Sequence, residues 1–140
     1  MYRPYNETQE DLDNENRVAQ ILSQKWKTEV LKLSPALYTV DWSFSRNGVV
    51  TAFGEYKKRS KKYNEVMLSA AKLMKMQQLH DFTGLPVLLI IEWPDGIWYW
   101  DMSADKWEGN FVVSGNPRGQ NGDIEPTVMI PVSKFRNVNL

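Results

Sequence analysis

At 140 residues the chain is long enough for one domain burying roughly 70% of its unfolded surface, so no covalent staple is needed. It has no cysteine, which excludes disulfides, thiolate zinc sites and cysteine nucleophiles and fits a reducing compartment. Lysine and arginine (17) balance aspartate and glutamate (17), so no overall charge draws the chain to nucleic acid, but the charges are segregated. Acids crowd the start (Glu7, Glu10, Asp11, Asp13, Glu15), and bases crowd Lys57-Lys58-Arg59-Ser60-Lys61-Lys62.

Met1 to Glu7 lacks the apolar core of a signal peptide, and the longest apolar run, Val87 to Ile91, is too short to cross a bilayer. A soluble, cytoplasmic protein is expected. Residues 1 to about 10 read as a polar lead-in. From about Asp11 to Lys27 the pattern is helical, with acids in the first turn. At 100° per residue, Glu15, Ala19, Leu22 and Trp26 fall within about 60° of one another, with Val18 beside them. Glu15 thus lies on the inward face, either as a first-turn glutamate at the core rim or as an acid directed at a site. Thr28 to Leu33 alternates as a short strand, closed by Ser34-Pro35.

Tyr38 to Lys57 reads as a hairpin around Arg46-Asn47-Gly48, rich in aromatic and β-branched residues. Asp41, Glu55 and Lys57 interrupt that pattern. Glu55 and Lys57 are two apart, so they share a face at roughly 6.6 Å along the strand. Register decides whether Asp41 joins them. A two-residue Asn-Gly turn pairs Asp41 with Gly54 and puts it on the opposite face. A three-residue loop with Gly48 at positive φ pairs Asp41 with Phe53, one diagonal step from Glu55. The three-residue loop is expected, unless a bulge elsewhere restores the register.

After the basic run, Asn64 to about Phe82 reads as a second helix with Val66, Ala70, Leu73, Met74 and Gln77 as its stripe, stopped by Gly84. Leu85 to Trp93 is a continuous apolar run, expected as a central strand buried on both faces. Pro94-Asp95-Gly96 turns it into a returning strand, Ile97 to Asp101, on which Trp98 and Trp100 share a face suited to core packing or, less simply, base stacking. Residues 103 to about 126 are rich in Gly, Asn, Asp and Pro and read as a long loop, with a scrap of strand at Phe111-Val112-Val113. Thr127 to Val132 is a last short strand. His80 is the only histidine, and no Gly-rich phosphate loop is present.

This order, helix, strand, hairpin, helix, strand, strand, with Asp41, then Glu55-Tyr56-Lys57, and an inward Glu15, resembles the PD-(D/E)XK nuclease superfamily. Thirteen residues separate Asp41 from Glu55. Glu-x-Lys alone is common; the combination of topology, spacing, first-helix acid and trailing basic segment carries the resemblance, which covers about residues 11–101. Val40 stands where the family name has proline. The fold implied is α/β: a restriction-endonuclease-like αβββαβ core, a mixed sheet flanked by helices, with an extra C-terminal hairpin strand and tail, in one domain of residues 1–140.

The activity implied is metal-dependent hydrolysis of DNA, as in small phage or repair nucleases. Asp41, Glu55 and the Tyr56 backbone carbonyl would hold Mg²⁺ or Mn²⁺. Lys57 would orient or deprotonate the water, or stabilise the transition state. Glu15 would bind a second metal or a metal-bound water. Lys72 is the expected polar contribution of the second helix, with Gln77 as the alternative. Lys58, Arg59, Lys61, Lys62, Tyr63 and Lys72 would contact DNA, largely through its backbone. Paired cuts need two sites, which makes a homodimer plausible. A non-catalytic nucleic-acid-binding module on the same fold is the competing expectation, disfavoured because Asp41, Glu55 and Lys57 are all present.

Overall fold

A computed structural model describes residues 8–33, 39–105, 111–115 and 124–139. The polar lead-in, Ser34-Pro35, the Tyr38 start of the hairpin and the Asn116 to Gly122 stretch lie outside those residues.

The first helix, α1 (Gln9–Trp26), starts at a capping box: Thr8 Oγ1 accepts from the Asp11 N–H at 3.0 Å, and the Asp11 carboxylate accepts from the Thr8 N–H at 3.1 Å. Reciprocal capping satisfies two of the donors that every helix start leaves unpaired. The helix buries Glu15, Val18 and Leu22, the stripe its periodicity predicts, and ends at Lys27 in a left-handed conformation. Then follow β1 (Glu29–Lys32), β2 (Trp42–Arg46), β3 (Val49–Lys58), β4 (Glu65–Ser69), α2 (Ala70–Thr83), β5 (Val87–Trp93), β6 (Gly96–Asp101), β7 (Phe111–Gly115), β8 (Ile124–Pro131), a 3-10 turn (Val132–Lys134) and β9 (Arg136–Asn137).

Six strands form one mixed sheet in the order β1-β2-β3-β5-β6-β9, and β4-β8-β7 form a second, antiparallel sheet. Only β3 and β5 run parallel in the larger sheet, joined by the crossover through β4 and α2. Its two faces bury separate cores. On one side α1 packs Val18 and Leu22 against Trp42, Phe44, Ile90 and Ile97. On the other, α2 and the second sheet pack Leu73, Met76, Val66, Leu68, Val128 and Ile130 against Leu89, Ile91 and Trp100. Strand β5 is buried on both sides, which is why its sequence is apolar without alternation.

The hairpin departs from expectation and still reaches the expected end. Arg46 pairs with Val49, so the turn is the two-residue Asn47-Gly48, not a three-residue loop. Both turn residues have positive φ, 52° and 76°, which is the type I′ geometry that Asn-Gly favours. Uncorrected, that turn would send Asp41 to the wrong face. A bulge between the Phe44–Ala52 and Ser45–Val50 pairs inserts Thr51 into β3, and beyond it Trp42 pairs with Gly54. The next step outward sets Asp41 across from Glu55. The register is restored by the bulge, not by the turn.

The second helix starts six residues later than expected. Glu65 to Ser69 form β4, in which Val66 and Leu68 are buried and Met67 is half exposed, a period of two where the sequence pattern predicts a helical stripe. Ser69 caps α2 by accepting from the Lys72 N–H at 3.4 Å. Met74 is exposed, and the Gln77 amide donates to Asp81 at 2.9 Å, so neither belongs to the buried face. The stretch expected as a long loop contains β7 and the start of β8, and the polar tail supplies β9 to the main sheet.

Candidate active site

Strand β3 carries the site out of the apolar sheet. Phe53 packs toward α2, so Glu55 and Lys57, two and four residues on, face that same side. Tyr56 faces α1, where it stacks on Trp42 with ring centroids 5.4 Å apart, and its hydroxyl donates to Glu92 Oε1 at 2.8 Å. Arg17 of α1 binds the same Glu92 oxygen at 2.8 Å. The residue between the two functional ones therefore anchors the strand to the helix and fixes which way its neighbours point. Gly54 is needed beneath them: a Cβ there would lie 2.8 Å from Phe44 Cε2 and 3.0 Å from Ile90 Cδ1.

Asp41 sits one residue before β2. Strand pairing with β3 ends at Trp42–Gly54, and the Asp41 Oδ2 oxygen takes over, accepting from the Tyr56 N–H at 2.9 Å. That bond holds the carboxylate at the level of Glu55. Val40, in the place of the family's proline, is buried in the α2-side core.

Glu55 is buried, and burial together with the charge of Asp41 pushes its pKa up to about 7, against the pull of Lys72 and Lys57. Lys72 reaches it from α2, with Nζ 3.4 Å from Glu55 Oε2 and donating to the Thr39 carbonyl at 2.7 Å. Lys57 is lowered from its ordinary value chiefly by burial, with Arg59 and Lys72 adding to the effect and Glu55 opposing it. Among the described residues no hydrogen bond or salt bridge engages the Lys57 ammonium.

Glu15 is buried at the other side of β2, and both its oxygens accept from Lys32 Nζ, at 2.8 and 2.9 Å. The same ammonium lies 3.8 Å from Asp41 Oδ1. Lys32 was not a candidate on sequence grounds. In Thr28 to Leu33, Leu31 is exposed while Val30 packs on α1, and Lys32 shares the side of Val30.

The basic run leaves the C-terminal end of β3. Lys58 donates to the Asn14 side chain at 3.3 Å, and the Arg59 guanidinium donates to the Lys58 carbonyl at 3.0 Å. Lys62 lies over the Trp98 ring at 3.7 Å from its centroid and 3.5 Å from Asp95. Tyr63 and Lys61 are exposed. Trp100 is core, its indole N–H donating to Asp105 at 3.0 Å. His80 bonds the Leu85 carbonyl at 2.8 Å at the end of α2, away from these groups.

Two carboxylates, one of them held up in pKa by burial and by the other's charge, are suited to a hard divalent cation. Mg²⁺ takes one or two carboxylates and keeps several waters. No group of three or more His, Cys, Asp or Glu side chains gathers as a metal cluster among the described residues. An ion there would be held by Asp41, Glu55, backbone oxygen and water. Tyr56, whose side chain is spent on Glu92, has only its carbonyl to offer.

A helix-flanked mixed sheet with an Asp, then Glu-x-Lys, at one strand end is the architecture of restriction-endonuclease-like nucleases. The solved structure of Hjc, a Holliday junction resolvase from the archaeal hyperthermophile Archaeoglobus fulgidus, shares this fold at a TM-score of 0.55 and 12% identity, over 85% of this chain and 94% of that one. No curated protein matches the chain. The family described as "Phage putative PDDEXK endonuclease" matches residues 1–138. The chain belongs to that family, and membership extends through the C-terminal strands that the sequence resemblance had left outside.

Proposed function

We propose that this chain is a divalent-metal-dependent deoxyribonuclease in which Asp41 and Glu55 hold the ion and Lys57 serves the attacking water. The observation that carries the reading is that, past the bulge in β3, the Asp41 carboxylate accepts from the Tyr56 N–H, the backbone donor between Glu55 and Lys57. Family membership and the shared fold of a junction resolvase support it.

A bound Mg²⁺ or Mn²⁺ would supply charge for the phosphorane and leaving oxygen and acidify a water. The chain does the rest. Asp41 is oriented by the Tyr56 N–H, and Glu55 is poised near neutrality so that a cation can drive its ionisation. Lys57, with its proton affinity reduced by burial, can orient the water, exchange a proton with it, or hold charge at the phosphate. Lys72 balances Glu55 from α2, which supports the polar contribution to the site expected of the second helix. Lys58, Arg59 and Lys61 lie on the segment leaving the site, where their charge suits backbone phosphates of any sequence, with Tyr63 exposed beside them, while the Lys62 ammonium is held over the Trp98 ring. No helix is long and apolar enough to cross a membrane among the described residues, and a phage nuclease would meet its substrate in the host cytoplasm.

The test is incubation with linear, nicked, branched and single-stranded DNA in Mg²⁺, Mn²⁺ or EDTA. Metal-dependent cleavage, lost in Asp41→Asn and reduced by roughly 10²-fold or more in Lys57→Met, is expected. Cleavage persisting in both variants would overturn the site. DNA binding without any cleavage would point to the non-catalytic module.

A further inference from the structure

Lys32 stands where a second cation would otherwise be called for. It projects from the edge strand β1, whose register sets it opposite Trp42, the neighbour of Asp41. From there its ammonium takes both oxygens of the buried Glu15, at 2.8 and 2.9 Å, and lies 3.8 Å from the near oxygen of Asp41. Three elements, α1, β1 and the start of β2, thus converge on one fixed positive charge.

We infer that Lys32 is a built-in cation occupying the position between Glu15 and Asp41, and that it restricts the site to one divalent ion. The inference rests on the reading of Asp41 and Glu55 as the metal seat. It assigns Glu15 a different task from the one its place on the first helix suggests: Glu15 positions Lys32 and does not bind metal.

Charge and geometry both support this. A divalent ion bridging Glu15 and Asp41 would have to lie within contact distance of the ammonium or displace it, and like charges at such range repel strongly where water is scarce. Glu15 already has both oxygens engaged, and its side chain is only 7% exposed against 37% for Lys32. A buried carboxylate in a bidentate pair gives up its partner at high cost, because either group alone would be left charged and uncompensated. Asp41, by contrast, is 30% exposed and meets Lys32 only at 3.8 Å through Oδ1, and Oδ2, which accepts one bond from the Tyr56 N–H, has a second lone pair to give an ion on the Glu55 side. The lysine's fixed charge would also add to the positive field on Asp41's side of the site without needing to be recruited from solution.

The test counts Mn²⁺ ions bound per chain, by calorimetry and by loss of the free-ion EPR signal, on metal-free full-length protein. One ion is expected for the wild type and for Glu15→Gln. Two are expected for Lys32→Met, in which the Glu15 carboxylate is released, and one again for the double variant Lys32→Met with Glu15→Gln. Should Lys32→Met not fold, Lys32→Gln, whose amide can still donate to Glu15, is expected to admit the second ion in its place. Two ions in the wild type, or one ion in a folded Lys32→Met or Lys32→Gln protein, would overturn the inference while leaving Asp41 and Glu55 as the seat. Zero ions in the wild type would overturn the seat itself.

Discussion

Replacing Glu55 by glutamine should stabilise the metal-free protein, and by an amount that grows as pH rises. The Glu55 carboxyl titrates near 7 in the folded chain against an ordinary 4.5, because burial and Asp41 disfavour its charged form. Between those two values the folded state holds a proton that the unfolded state has released. Stability therefore falls as pH climbs from about 4.5 through about 7, and is flat beyond. The full shift corresponds to roughly 3 kcal/mol at about 1.4 kcal/mol per pH unit, of which about 2 to 3 kcal/mol accrues between pH 5 and pH 8. Urea unfolding in EDTA at those two pH values measures it. The wild type should lose that amount relative to Glu55→Gln, whose amide does not titrate and can still face Lys72. Identical pH dependence in the two proteins would refute the reasoning and return Glu55 to an ordinary solvated carboxylate. A saturating divalent ion should abolish the wild-type loss, because it stabilises the ionised form.

Three further substitutions test the scaffold and the binding face. Gly54→Ala should destabilise by about 1–3 kcal/mol in chemical denaturation, since its Cβ would meet the Phe44 ring at 2.8 Å. The same change should weaken metal binding by disturbing β3 next to Glu55. Lys61→Ala should lower the slope of log affinity for DNA against log salt by about 0.9, as expected for one exposed phosphate contact, in an anisotropy titration. Lys62→Ala should change that slope little and instead cost about 1 kcal/mol of stability with a shift in tryptophan emission, because its ammonium lies 3.7 Å from the Trp98 ring centroid.

Legibility in the sequence tracked how local the deciding physics was. The α1 stripe, the existence of the hairpin and the doubly buried β5 are written in short-range periodicity and turn chemistry, whereas the length of the turn, two residues and not three, is not. Asp41, Glu55 and Lys57 were legible as residues out of character with their strands. The register that joins them was not. It depends on Thr51 being inserted as a bulge, and no residue type in that stretch demands one. Strand β4 hid inside a helical pattern because Val66 and Ala70, four apart, satisfy both periods, and only pairing with the distant β8 settles the choice. Lys32 was illegible for a similar reason: apolar residues flank it on both faces of β1, and tertiary packing alone decides that Leu31 goes to water and Val30 to the core. Lys72, expected as the polar contribution of the second helix, does reach Glu55, but its bond to the Thr39 carbonyl is a tertiary contact that no local pattern announces.

The central claim is that a bulge in β3 brings Asp41 across from Glu55 to make a seat for one divalent ion. Crystals grown with Mn²⁺ and measured at a wavelength where manganese scatters anomalously test it most directly. An anomalous peak is expected between the Asp41 and Glu55 carboxylates, absent in Asp41→Asn crystals treated alike. A peak elsewhere, with those two carboxylates bare or on opposite sheet faces, would contradict it.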